Sequence, residues 1–562
     1  MVQLHDLPVE LCARILCLLP VLDVVRFQRV RIILIMESCA AVSSSFCGLI
    51  RDSAELQYKI ERFLTGAVDG SPASGYSFQN KTDRLKSWRQ TWKRPSWNEE
   101  RSLPSFTPVV CVSGPVFAQG MSEDELDTAI EFYTLGAKLR GVEPRSWTLN
   151  SLHEYYTFNF DWYQDLLVLC ERYRRLNLVQ DNHLTLLSSV ESSRVTLRFL
   201  RCTTGQVHPA AKHVTLFATL PMEGVEGAAV VYLCGDIVLL RYNFSNGKPE
   251  FWVFDWRQGS LLLNFGVDTD VDGAEIVVQD CALLDSRYVM ITASGTSSGH
   301  VLAVFDCYSV SCPARLLFPD AMRRHASLIL ELPLPVKPYS SNTFAMLDCQ
   351  PDSPVALPAQ LEGVAFRAAG PPIVLVTIWT NDGGDHTIQH SLFLPGRLIL
   401  SRLVQSGART VAPPLAHTIP WKAYAKECRL FHTSDMEVTS VYGSRYVTSG
   451  RVRRNEGSVQ NPQEDQLVDI LRIYHFGEPA AILHDTDVDG PAADDGTAKS
   501  SVTRVLEESD QSCSIIWAEQ MQTGAPYLLT QINLGLGNAI GSGMWLVEDG
   551  VVLTEGSAGY AA

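Results

Sequence analysis

Apolar and polar positions along the chain follow two different periods, which meet near residue 104. Before that point the apolar residues recur at helical spacing. Leu11, Ile15, Leu18 and Leu19 stand at i, i+4, i+7 and i+8, which puts them on one face of a helix. Pro8 suits the first helical position, where its missing N–H costs nothing, and Glu10 in the first turn complements the helix dipole. Pro20 ends this helix. Asp23 is placed to cap a second one carrying Val24, Val25, Phe27 and Val30. Ser53 is placed to cap a third with Leu56, Ile60, Phe63 and Leu64, ended by Gly66. Residues 67–80 are rich in Gly, Ser and Pro and read as a loop. Residues 81–93 read as one more helix, with Leu85, Trp88 and Trp92 on its apolar side. Helices this short need a partner surface to bury their faces.

From about residue 104 the pattern turns to short β-rich runs bounded by Gly, Asp, Asn and Pro, such as 109–112, 165–169, 195–200, 236–240, 251–254, 287–292 and 301–305. A weak repeat runs through them. Phe254-Asp255-Trp256 is matched about fifty residues on by Phe305-Asp306-Cys307, and preceded by the stretch 200–205; 473–477 and 528–534 read as further copies. Units of this length with several strands each are the mark of propeller blades, here six or seven. No Gly-His…Trp-Asp or Gly-Gly blade signature is present, so a pair of β-sandwiches stays open. Closure of the ring is expected from pairing of 109–113 with the stretch 544–553. The predicted class is α+β multidomain: a small helical segment at 1–66, a linker with a helix at 67–103, and a large all-β domain at 104–562. An insertion is expected at 171–193, between two strands that would otherwise form a hairpin. Residues 452–466 and 484–500 read as polar loops.

The opening resembles the F-box. The residues that carry the resemblance are Leu7-Pro8-Val9-Glu10-Leu11, Ile15-Leu16, Leu19-Pro20, Asp23, and a tail formed by Val30 and then 43–50. Residues 31–42 interrupt the pattern, and removing them restores the motif's spacing, so this stretch is expected to be an insertion or a gene-model error. The whole layout is similar to large fungal-type F-box proteins with a C-terminal propeller-like region. The resemblance implies a substrate-recognition subunit of a Skp–cullin–F-box ubiquitin ligase. Leu7, Pro8, Leu11, Ile15, Leu16, Leu19, Pro20 and Phe46 would then meet a Skp-type adaptor that bridges to the cullin, and the β domain would hold a target protein. No residue need be catalytic, and no cofactor is implied. The alternative is a propeller scaffold whose helices serve assembly unconnected to ubiquitin.

Composition narrows the remaining chemistry. A net charge of −16 argues against nucleic acid or an anionic membrane as partner. No run is long enough to span a bilayer, and the start lacks a secretory leader, so the cytoplasm or nucleus is expected. Fourteen cysteines without a C-x-x-C pair read as reduced, mostly buried thiols. Gly295-Thr296-Ser297-Ser298-Gly299 matches a nucleophile elbow beside His300, but it lies between two strand-like runs, where a hairpin loop explains it better. Alternating carboxylates at Asp268, Asp270 and Asp272 recur at Asp485, Asp487 and Asp489, each set followed by Gly. Such spacing can present oxygen ligands to calcium, but the twelfth position is Gln279 in one copy and Gly496 in the other. Two acidic turns are the plainer reading. His386 and His390 are four apart, which carries little weight in a β-rich stretch. Arg84, Lys86, Arg89, Lys93 and Arg94 around the tryptophans read as the solvated side of the linker helix.

Overall fold

The computed structural model describes residues 7–21, 23–24, 47–71, 74–93, 110–120, 127–172, 194–220, 227–244, 249–267, 276–295, 299–309, 315–318, 320–333, 344–350, 363–368, 372–381, 387–407, 417–433, 439–453, 467–476, 500–505, 527–533, 540–547 and 550–555. Six antiparallel sheets follow one another along the chain. Blade one runs from Val110–Ser113 to Arg145–Tyr155, and blade two from Thr157–Asp161 to Thr215–Thr219. Blade three begins at Gly227–Cys234, blade four at Ile276–Leu283, blade five at Phe344–Asp348 and blade six at Thr439–Tyr442. The first strands of blades one to five lie side by side in order. Blades five and six meet through Ile373, Leu375 and Phe393 packed on Val441, Tyr446 and Phe476. This is a six-bladed β-propeller.

One backbone bond marks the blades as copies of a single unit. In each, the N–H at the end of the third strand donates to the carbonyl just before the second strand, at 2.8–3.1 Å. The pairs are Leu135 to Pro115, Cys202 to Asp165, Trp256 to Asp236, Cys307 to Arg287, Gly396 to Pro372 and Phe476 to Ser444. The bond pins the two turns at one end of every blade. The sequence repeat at 200–205, 254–256, 305–307 and 473–477 coincides with this position in blades two, three, four and six. Its aspartates hold the turn: Asp255 Oδ1 accepts from Gln258 N at 2.8 Å, and Asp306 Oδ1 from Tyr308 N at 3.0 Å. The stretch 528–534 is different, because Tyr527–Asn533 is the fourth strand of blade six, paired to the third strand rather than equivalent to it.

Neighbouring blades exchange edge strands. Leu316–Phe318, from the connection between the third and fourth strands of blade four, pairs parallel to the outer strand of blade three. Thr418–Ile419 does the same from blade five to blade four. Each covers an open sheet edge.

Ring closure departs from expectation. Residues 110–113 pair with Val116–Gly120 in their own blade, and the hairpin Ile540–Val547 with Gly550–Glu555 pairs only within itself among the described residues. The hairpin packs between the first strands of blades six and one, and Val551 joins the core cluster that holds Val112. Among the described residues, closure is by packing and not by a shared ladder.

The helices are α1 (Val9–Leu18), α2 (Ala54–Thr65) and α3 (Phe78–Lys93), with residues 47–52 also helical. Ser53 caps α2 by accepting from Leu56 N at 3.4 Å, and Gly66 at φ 65° ends it. Residues 67–69 were expected in a loop but form a strand, because Ala67–Asp69 pairs with Phe366–Ala368, some three hundred residues away. Two further helices, Asp320–His325 and Gly396–Gly407, lie within blades four and five, where the sequence shows few helical signals. The hairpin around 171–193 is present, with Arg172 opposite Val195; residues 173–193 lie outside the described residues.

Candidate interaction surface

The helix α1 is apolar on more than one side. Cys12 and Leu16 turn inward and pack with Val24, Ile50, Leu56 and Ile60. Lys59 Nζ donates to the Cys17 carbonyl at 2.6 Å and also to that of Leu19, setting a positive charge on the helix C-terminus, where the dipole favours it. With these positions fixed, the opposite side faces solvent: Val9 is 65% exposed, Leu11 46%, Ile15 37% and Leu18 86%. Of the expected adaptor residues, Leu11, Ile15, Pro8 and Pro20 are exposed, Leu7 and Leu19 are half-buried, and Leu16 belongs to the small core. Phe46 and the interrupting stretch 31–42 lie outside the described residues.

This helical unit is fastened to the propeller through α2, α3 and a strap from blade five. Glu61 of α2 pairs with Arg89 of α3 at 2.9 Å, with both side chains largely shielded from water. Tyr58 donates to Asp69 Oδ1 at 2.6 Å, and burial together with that carboxylate pushes its phenol well up. On the propeller side, Arg84 donates to the carbonyls of Lys138 and Leu139, both at 3.0 Å. Trp88 meets Phe366 edge-on at 5.6 Å, and Trp92 meets His475 at 6.1 Å. The Arg445 guanidinium of blade six lies 4.9 Å from Trp88 and 4.1 Å from Trp92. The tryptophans that sequence pattern put on the apolar side of a linker helix thus hold that helix on the β domain.

The strap comprises 363–368. It crosses the end of the propeller that carries the turns between first and second strands. Ala365 N donates to Arg140 O of blade one at 2.9 Å, and Ser71 N donates to Val364 O at 2.9 Å. Arg367 lies over the Tyr163 ring of blade two at 5.1 Å. Just before the strap, Gln350 Nε2 donates to Val112 O of blade one at 3.0 Å, spanning from blade five. Gly70 permits the close passage: a Cβ there would stand 2.0 Å from the Val364 carbonyl oxygen. Chain from blade five and the N-terminal segment therefore covers this end of the ring.

The other candidate chemistries are not assembled here. Gly295 and Gly299 are paired residues closing two antiparallel strands, so the G-x-S-x-G stretch is not on a strand-to-helix turn. His300 is buried, and desolvation pushes its pKa down to about 4, leaving it neutral. Asp268, Asp270, Asp272, Asp485, Asp487 and Asp489 lie outside the described residues. Among the described residues no group of three or more His, Cys, Asp or Glu is placed to hold a metal, and no helix is long and apolar enough to cross a membrane. His390 is buried in the third strand of blade five opposite His432, while His386 lies outside the described residues. Among the described residues no cysteine forms a disulfide. Burial pushes Cys111 and Cys170 up to about 12, well away from thiolate chemistry.

The class defined by these features is a six-bladed β-propeller with a helical segment fastened across one end. Among solved structures the chain is similar to the WD40 domain of Toxoplasma gondii coronin, at 10% identity and TM-score 0.30, covering 77% of this chain and 82% of that one. It is also similar to Synechocystis apocarotenoid oxygenase, at 10% identity and TM-score 0.25, covering 57% of this chain and 62% of that one. No protein-family model and no curated protein matches the chain.

Proposed function

We propose that this protein is an interaction scaffold in which the propeller holds a target protein and the N-terminal helices dock a Skp-type adaptor, making it a substrate receptor of a Skp–cullin–F-box ubiquitin ligase. The observation that carries the reading is the solvent-facing apolar side of α1, kept apart from an inward-facing side that already has its own core. Exposed clusters of this kind mark protein contacts. The F-box-like spacing of Leu7-Pro8, Leu11, Ile15-Leu16 and Leu19-Pro20 adds the adaptor's identity. The fastening of α3 to the propeller supports a receptor role, since a receptor contributes effective concentration and orientation of a target lysine and not bond chemistry.

Affinity purification of the full chain, followed by mass spectrometry, tests this. The reading predicts the adaptor and a cullin among the partners, lost together in a Leu11→Asp, Leu18→Asp variant. Purification of stable partners without either would favour the scaffold unconnected to ubiquitin.

A further inference from the structure

Blades three and four do not end at their own fourth strands, and the way they are extended points to a site on blade two. The borrowed strands Leu316–Phe318 and Thr418–Ile419 sit in one register. Five residues before Trp256 and Cys307, which end the third strands in the shared backbone bond, stand Phe251 and Leu302. Phe251 pairs with Phe265, and Leu302 with Leu330, on the fourth strands. Those two in turn stand opposite Leu316 and Ile419 of the borrowed strands, both of which run parallel. Ile419 is buried in the core of blades four and five, and Leu316 packs against that of blades three and four. Each lender is a long link between third and fourth strands, 307–327 in blade four and 396–428 in blade five.

Blade three has no such link to lend. Its third and fourth strands are joined by the turn 256–259, closed by the pairing of Asp255 with Ser260. The turn meets blade two just before the start of its outer strand, where a Cβ on Gly259 would stand 2.1 Å from the His213 ring. The outer edge of blade two has the same register. Leu216 of Thr215–Thr219 pairs with Leu197, again five residues before the third-strand end, here Cys202. Large apolar side chains are exposed along it: Val207 by 48%, Val214 by 41% and Phe217 by 56%. Val207 is bridged to Leu200, Phe199 N donates to Val214 O at 3.0 Å, and Phe217 follows Leu216, so all three lie outward of the third strand. Outer strands elsewhere are covered. Phe265 and Leu330 of blades three and four are buried, as are Arg429 and Leu430 of blade five, and blade six keeps Ser500–Val505 on its own outer strand.

We propose that the target docks on this edge: an extended segment of it adds as a parallel strand beside Thr215–Thr219, with Leu, Ile or Val opposite Leu216 and a further apolar residue opposite Phe217. The proposal rests on reading the propeller as the target-holding part, and adds the place and the chemistry of the target. The occupant follows from the borrowed strands. At the same position of two other blades they show what such an edge accepts, a short parallel strand that is apolar opposite the residue matching Leu216. The strand comes from another protein because the link that would lend it is spent in the turn 256–259. Main-chain hydrogen bonds to the edge supply affinity, and the side chain opposite Leu216 supplies selectivity. Covering Phe217, Val207 and Val214 adds apolar area and closes the sheet edge.

Selection of a phage-displayed random twelve-residue library on the full chain tests it, followed by anisotropy titrations of the selected peptides and amide hydrogen exchange with and without them. Enrichment of adjacent Leu, Ile, Val or Phe is expected, and the amides of 214–219 should gain protection when peptide binds. Phe217→Asp should weaken binding at least tenfold, because it sets a charge against the added strand. Phe217→Thr keeps a good strand former and should weaken it in the same direction, which holds the test open if the Asp variant unfolds. Val404→Asp, at an exposed position on the helix of blade five, should leave binding unchanged. No selected binder, undiminished affinity in both Phe217 variants, or protection gained elsewhere and not at 214–219 would overturn the proposal. So would full protection of these amides in the free chain, or a wild-type dimer that Phe217→Asp turns into monomer, since either gives the edge to this chain itself. Adaptor binding measured on the same preparations keeps the two readings apart: its absence alongside peptide binding at this edge would sink the ligase assignment and leave the docking site standing.

Discussion

Replacing Arg445 by Ala should loosen the helical segment from the propeller. Arg445 is 6% exposed and opens the second strand of blade six, where its backbone pairs with His475 and would stay in place. Its guanidinium sits over both Trp88 and Trp92. A cation–π contact contributes about 0.5–1 kcal/mol when exposed and about 2 kcal/mol when desolvated. Two contacts at a buried site therefore put the loss at about 2–4 kcal/mol, and the space left behind adds to it. Most of the loss falls on α3, because Trp88 and Trp92 are its main buried anchors on the β domain. Urea unfolding followed by tryptophan emission should show an early transition as these two indoles meet water, ahead of the propeller's own. Trypsin should reach Lys86 and Arg89 sooner than in wild type. Lys at 445 should recover only part of the effect, since its ammonium lacks the flat face that lies along the rings. An Arg445→Ala protein with one unfolding transition at the wild-type midpoint, and unchanged cleavage within α3, would refute this account of the junction.

Asp348, half-buried, and His300, buried, give opposite pH signatures. Asp348 titrates at about 6 when folded against a usual 3.8, so its contribution is full below pH 4 and is lost as pH rises through 6. Asp348→Asn should remove that decline and gain up to about 3 kcal/mol at pH 7.5 in urea melts. His300 titrates at about 4 against a usual 6.5, so its contribution is full above pH 6.5 and is lost as pH falls towards 4. His300→Phe should flatten the acid side of the profile by up to about 3 kcal/mol, and an unchanged acid limb would contradict the burial argument. Leu16→Asp should unfold the α1–α2 core, because it places a charge among Val24, Leu56 and Ile60, whereas Leu18→Asp should leave circular dichroism and melting unchanged.

The blades were partly legible in the sequence because each repeats a local device. The Asp at 255 and at 306 ties its own turn, and a buried Trp256 or Cys307 follows, so the pattern recurs at the same structural position. The stretch 528–534 misled because an apolar run without such a turn does not distinguish a third strand from a fourth. The strand at 67–69 and the strap at 363–368 were not legible, since neither has a local partner and each is ordered by the other. The expected 109–113 closure failed for a related reason: valine-rich edges can be covered by packing as well as by pairing, and sequence does not choose. At α1 the sequence placed the helix but not its inner side. Cys12 and Leu16 compete with Leu11, Ile15 and Leu18, and the contacts with Ile50, Leu56 and Ile60 decide between them.

The most direct measurement is a calorimetric titration of purified Skp-type adaptor into the full chain and into a Leu11→Asp, Ile15→Asp variant, with thermal melts of both. The account predicts saturable one-to-one binding to the wild type. In the variant it predicts at least a tenfold loss of affinity, about 1.4 kcal/mol, at an unchanged melting midpoint. No heat of binding to the wild type, or equal affinity for the variant, would contradict it.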